Sequence, residues 1–271
     1  MKLKTYGCRG SYPYSRETFY GGNTSCMTLE YKDNLIILDA GSGLLKLDSE
    51  LRERFPEYPN NLPFKIHIFI SHLHLDHIIG LPGFAPIWEK GADVKIYTCC
   101  RNSSIPIDDQ VFGPFKPPYW PVDMARISHA ECVDVSEITK IDDLIITHFP
   151  AHHPDSTLCF HITDGEKTMV HLLDNELPWK GEHLRQIEYC RDSDLIVFDA
   201  AFLPRDYHLK RGWGHSTVLD GVRLADECGC KKMIFAHFAQ DYSDAEIDEV
   251  KELVKGDDRF IFAYEGLEVE I

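Results

Sequence analysis

Apolar and polar positions fall into short blocks along the first third of the chain. KLKTYG, TSCMTLEY and NLIILDAG are rich in aliphatic, aromatic and β-branched residues, with Gly-Gly-Asn and Lys-Asp-Asn, residues that turn a chain back on itself, between them. They predict three strands in a meander. Residues 43–55, GLLKLDSELRERF, switch to helical spacing, which assigns Leu44, Leu45, Leu47 and Leu51 to one apolar face. FKIHIFISH then returns to a dense strand pattern and ends in histidine.

Further on, ADVKIYTC, DLIITHFP, LCFHIT, TMVHLLD, DLIVFDAAF and KKMIFAHF read as strands. HLRQIEYCRDSD, STVLDGVRLADECG and SDAEIDEVKELVKG read as helices, the last with Ser243 as N-cap. Strands first, then alternating strands and helices, predict two sheets with helices outside them. Residues 113–123, GPFKPPYWPVD, carry four prolines around Tyr119 and Trp120. They cannot continue a regular central element, and read as a surface loop or as a rigid lid whose aromatics frame a substrate.

The 271 residues, 44% hydrophobic, supply a core for one α/β domain spanning 1–271 and argue against disorder. A formal charge of −16 with no Lys/Arg-rich run argues against long nucleic acid as a partner. The start, MKLKTYGCRGSYPYS, lacks the apolar core of a signal peptide, and no stretch reaches the ~18 apolar residues of a membrane span, so a cytoplasmic protein is expected. The nine cysteines then read as reduced, mostly buried thiols. Cys99-Cys100 and Cys228-x-Cys230 lack the C-x-x-C spacing of redox or zinc motifs.

The strongest chemical signal is His72-Leu-His74-Leu-Asp76-His77, four potential metal ligands in six residues directly after a hydrophobic strand. Imidazoles with a carboxylate suit zinc, and also manganese or iron. The run resembles the H-x-H-x-D-H signature of the metallo-β-lactamase fold superfamily. The similarity continues through PAHHPDSTLCF, Asp174 in VHLLDNE and His237 in IFAHFAQDY, and so covers essentially the whole chain. It implies an α/β fold, the four-layer αββα sandwich, and two divalent ions. His72, His74 and His153 would serve the first ion and Asp76, His77 and His237 the second, with Asp174 between them. Neighbours on an extended segment point opposite ways, so one of His152 and His153 is the ligand. The resemblance favours His153, because in family members with a similar H-P-x-x-x-L-G-Y stretch the histidine before the proline is the ligand; His152, behind the site or on the substrate, is the alternative. His67, His129, His148, His161, His171, His183 and His208 read as strand or surface residues.

Two ions about 3.5–4 Å apart hold a hydroxide nucleophile at neutral pH, a chemistry that serves phosphodiesters, thioesters or lactams alike. Gly214-His215-Ser216-Thr217 is similar to the late part of the tRNA 3′-processing endonucleases and related phosphodiesterases of the superfamily. That likeness implies His215 as proton donor paired with Asp199, as Asp where the endonucleases have Glu. Asp76, His215 and Asp199 are thus the candidate catalytic residues. Only 20 residues separate His153 from Asp174, too few for a tRNA-clamping arm. A small or cyclic phosphodiester is therefore the expected substrate and a thioester the alternative, with a non-catalytic metal sensor behind both. A homodimer is compatible with the resemblance.

Overall fold

The computed structural model describes residues 1–15, 18–99, 101–135, 137–177 and 184–271; Cys100 and His183 lie outside them. One sheet is built from β1 (Lys2–Gly7), β2 (Cys26–Tyr31), β3 (Asn34–Leu38), β4 (Lys65–Phe69), β5 (Val94–Thr98) and β6 (Glu131–Asp134). The second uses β7 (Ile138–Ile141), β8 (Leu144–Pro150), β9 (Leu158–Thr163), β10 (Thr168–Leu172), β11 (Leu195–Asp199), β12 (Met233–Ala236) and β13 (Phe260–Phe262). A last strand, β14 (Glu268–Glu270), returns to pair with β1. The sheet orders are β14-β1-β2-β3-β4-β5-β6 and β13-β12-β11-β10-β9-β8-β7. The meander β1-β2-β3 is antiparallel as expected, whereas β3 to β6 and β10 to β13 run parallel.

The uninterrupted apolar run in β3 has a physical cause: the strand is covered on both faces. Ile36 and Leu38 enter the core between the sheets with Phe149, Ile162 and Val170, while Leu35 and Ile37 pack beneath the helix Gly43–Arg54. That helix buries Leu44, Leu47 and Leu51, but Leu45 is 44% exposed. Its assignment to the apolar face is corrected: the buried stripe runs through 44, 47, 48 and 51, leaving Leu45 at its edge. On the other side of the sandwich, the helix Val218–Cys228 packs on β11 and β12. Thr217 caps it through a reciprocal box with Asp220. Helix, sheet, sheet and helix make the expected αββα sandwich.

Strands β6, β7, β13 and β14, of three or four residues each, escaped the sequence reading because so few positions carry no period. In the Pro/aromatic stretch, Phe115 and Trp120 join the apolar cluster beneath the helix Gly43–Arg54, while Tyr119 is exposed. Among the described residues no helix is long and apolar enough to cross a membrane.

Candidate metal centre

The chain leaves the C-terminal ends of β3, β4, β8, β10, β11 and β12 along one edge of the sandwich, and each exit carries one or more polar residues. After β4, which ends at Phe69, the backbone is no longer strand. His72 and His74 nevertheless face one another, with His72 Nε2 2.8 Å from His74 Nδ1. A single helical turn, Leu75–Ile78, then carries Asp76 and His77 inward. His153 follows β8, Asp174 follows β10, Asp199 ends β11 and His237 follows β12.

These residues converge on Asp174. Its Oδ1 lies 3.8 Å from Nε2 of both His72 and His153 and 3.4 Å from His237 Nε2, while its Oδ2 lies 3.1 Å from His77 Nε2. Asp76 Oδ2 is 3.4 Å from His77 Nε2 and 3.9 Å from His237 Nε2, and accepts from the Ser11 amide at 2.7 Å. The ligand atoms of His72, His74 and His153 group together, as do those of Asp76, His77 and His237 and of His72, His77 and Asp174. His153, not His152, belongs to these groups. His152 instead uses its backbone, its N–H donating to Asn175 Oδ1 and its carbonyl accepting from Glu176.

Most of the histidines are held from behind, through contacts the sequence did not reveal. The Nδ1 of His72 meets Ser71 Oγ at 3.1 Å, that of His153 meets Thr157 Oγ1 at 3.1 Å, and that of His237 meets Ser25 Oγ at 2.9 Å. Asp39 Oδ2 lies 2.9 Å from His77 Nδ1. Contacts of this kind fix the ring orientation and leave Nε2 for the centre. The one available signal was Asp39, an acid ending a fully buried strand.

A divalent cation fits this donor set. His77 Nε2 and Asp174 Oδ2 are buried and close, yet their contact lacks hydrogen-bond geometry and neither atom has a hydrogen-bond partner. Buried, unpaired polar atoms cost roughly 1–3 kcal/mol each, so a shared partner of opposite charge is the economical explanation. Gly10 keeps the approach open, since a Cβ there would stand 2.6 Å from His237 Nε2. The backbone is held in the left-handed region at Ser11 (φ 63°), Asp39 (φ 59°), Asp174 (φ 50°) and His237 (φ 65°), four non-glycine residues in one site. Burial pushes the Asp174 and Asp76 carboxyls up, but the surrounding imidazoles outweigh it and hold both well below the carboxylate range. Burial lowers His72 and the neighbouring histidines lower it further, which leaves a neutral imidazole able to ligate.

His215 lies at the edge of this cluster. Its Nδ1 is 2.8 Å from Asp199 Oδ2 and 4.0 Å from Asp174 Oδ1, and its ring stacks on His237 at 5.1 Å. Asp199 is fully engaged, because its Oδ1 also accepts from the amides of Ala201 and Ser216. Each residue of His-Ser-Thr has a separate task. Ser216 ties the loop to Asn175 O and the Leu177 amide, and Thr217 caps the next helix. Glu176 clamps the preceding turn by accepting from Tyr207 Oη and from the amides of Gly212 and Gly214. Gly214 must be glycine on two counts: φ is +89°, and a Cβ would lie 2.4 Å from His153 Cδ2.

A family model described as "Beta-lactamase superfamily domain" matches residues 34–238. The chain belongs to the metallo-β-lactamase fold superfamily. It is a metal-dependent hydrolase of that superfamily. Ribonuclease Z of Porphyromonas gingivalis is 22% identical over 92% of this chain and 93% of its own length. Ribonuclease Z 1 of Schizosaccharomyces pombe is 24% identical over 76% of this chain but only 26% of its own length. Among solved structures, the metallo-β-lactamase fold protein YhfI of Bacillus subtilis superposes with a TM-score of 0.71 at 21% identity, covering 99% of both chains. The short form of human tRNase Z gives 0.68 at 17%, over 100% and 99%. Zn(2+)-bound PqqB of Methylobacterium extorquens gives 0.70 at 14%, over 100% of both.

The ribonuclease relatives overturn one expectation. A small-molecule substrate, with the net charge arguing against long nucleic acid, does not stand when a relative matched along 93% of its own length is named ribonuclease Z. The error was one of range. Surface charge is screened over about 8 Å at physiological ionic strength, so a net −16 spread over the whole surface says little about the field at a cationic metal site.

Proposed function

We propose that this hydrolase is a dinuclear metal-dependent phosphodiesterase whose substrates include RNA. The observation that carries the reading is the His215–Asp199 pair, 2.8 Å apart beside Asp174. The relatives named ribonuclease Z support the choice of RNA. In this proposal His72, His74 and His153 hold one ion and Asp76, His77 and His237 the other, with Asp174 shared. Zinc heads the candidates, and manganese or iron also suits the ligands. Bound divalent ions there supply Lewis-acid activation of water and neutralise charge at phosphorus.

The remaining work falls to side chains. A departing alkoxide needs a proton, and His215 is the group placed to give it. With Nδ1 committed to Asp199, Nε2 is the nitrogen left to donate. Burial opposes the charged ring, but the Asp199 carboxylate and its hydrogen bond outweigh burial and raise His215 to about 9, so it is protonated at neutral pH. The Asp199 amide contacts keep that carboxylate aimed at the ring. His215 also lies within ligand distance of Asp174 and His153. The proton-donor role is preferred because its Nδ1 is taken by Asp199.

The proposal treats residues 1–271 as one hydrolase domain, which the pairing of β14 with β1 supports by tying the last strand to the first. It places the chain in the cytoplasm, in keeping with the buried free thiols of Cys8, Cys26, Cys159, Cys190, Cys228 and Cys230. The test is hydrolysis of bis-p-nitrophenyl phosphate and of an RNA carrying a 3′ extension by metal-loaded protein. Both should be cut, and a chelator should stop both. Protein that retains its ions and cuts neither overturns the reading.

A further inference from the structure

A cavity of about 110 Å³ opens beside the metal centre and runs from His215 and His237 to Lys210 and Trp213, with Gly10 and Ser11 along it. That is room for several water-sized groups, enough for the oxygens of one phosphate. Lys210 closes the short helix Tyr207–Lys210. Its ammonium sits 4.6 Å from the centroid of Phe202 and 5.1 Å from that of Tyr242, and donates to Tyr242 Oη at 3.2 Å. Tyr242 in turn donates its hydroxyl to Asp206 Oδ2 at 2.9 Å. No carboxylate among the described residues lies within ion-pair distance of this ammonium, in a chain whose 44 acidic residues outnumber its 28 Lys and Arg. An ammonium has three donors, and Tyr242 takes one.

Trp213 is 60% exposed and meets Phe202 edge-on at 6.3 Å; Phe202 in turn meets His215 edge-on at 5.3 Å. The tryptophan is not on a loose loop. Both flanking glycines donate their amides to Glu176. An exposed indole on a tied backbone, next to an ammonium with two donors left, matches the two faces of a nucleotide, a stacking base and a phosphate.

We propose that this cavity is a nucleotide subsite that receives the departing nucleoside, with its base on Trp213 and its far-side phosphate on Lys210. The inference rests on the phosphodiesterase reading, because the group protonated by His215 is the one that leaves through the cavity beginning at His215. It adds a substrate requirement: the leaving group carries a base and a second phosphate.

Binding of adenosine 5′-monophosphate to the metal-loaded protein, followed by equilibrium dialysis, tests it without requiring turnover. Lys210→Ala and Trp213→Ala should each weaken binding by about tenfold or more. The preference for the monophosphate over adenosine should collapse in Lys210→Ala and survive in Lys210→Arg. Quenching of tryptophan fluorescence by the nucleotide should be lost in Trp213→Phe. Nucleotide affinity equal in wild type and both alanine variants, with native melting curves, overturns the subsite. The two readings fail separately: hydrolysis of bis-p-nitrophenyl phosphate with insensitive nucleotide binding removes the subsite alone. Sensitive binding in a protein that cuts no phosphodiester removes the phosphodiesterase alone.

Discussion

The two halves of the chain furnish the candidate metal centre in different ways. The first half delivers His72, His74, Asp76 and His77 from six consecutive residues, one strand exit and one helical turn. The second delivers His153, Asp174, Asp199, His215 and His237 singly, from the ends of separate strands and from one loop. Local backbone geometry brings the first group together, and Asp39 behind His77 and the Ser11 amide on Asp76 are its ties to the rest of the fold. The second needs ties across the fold, and the segment Asn175-Glu176-Leu177 supplies them by binding the His215 loop at Gly212, Gly214 and Ser216. Part of the site is therefore made by the chain's path, and part by hydrogen bonds that can be removed one at a time.

The comparison can be broken most severely in the contiguous run. His77→Ala should lower the metal count per chain and reduce turnover on the order of ten-thousandfold, checked by elemental analysis beside kinetics. His215→Ala, in the other half, should cost roughly a hundredfold to ten-thousandfold in turnover while the metal count holds. Loss of metal in that variant would make His215 a ligand and end the donor assignment.

The same residue fixes the pH profile. A folded-state value raised to about 9 means that His215 contributes stability fully below its ordinary value near 6.5, and loses that contribution as pH rises toward 9. Turnover should fall on the same basic limb, and Asp199→Asn should move the limb to lower pH. An unmoved limb assigns it to another group.

A smaller effect is expected from the cross-tie. Glu176→Gln should lower kcat about tenfold with little change in KM or metal content, since three donors lose a charged acceptor. The smallest belongs to the support behind one ligand: Thr157→Val should weaken metal binding about tenfold or less, read by competition with a chelator. If Thr157→Val proves costlier than Glu176→Gln, the loop tie matters less than the contrast between the halves implies.

That contrast also explains what could be read from the chain alone. HLHLDH was legible because its chemistry is contiguous and follows a strand; His153, Asp174 and His237 were legible only through a family resemblance. Ser25, Thr157 and Glu176 were not legible, because ordinary serines, threonines and acids acquire their roles only when distant strand ends meet. The dense strands and amphipathic helices were legible from period, whereas β6, β7, β13 and β14 were too short to show one. Net charge misled, being a property of the whole surface applied to a site a few ångströms across.

Ser11, Asp39, Asp174 and His237 all hold backbone that non-glycine residues avoid. At about 1 kcal/mol or more each, such conformations consume several kcal/mol, a sizeable share of the roughly 5–15 kcal/mol that keeps a domain folded. Ions that bind only the folded chain return that stability in proportion to the logarithm of their free concentration. The melting temperature of this protein should thus act as a gauge of available metal, climbing steadily as free ion is added past the dissociation constant.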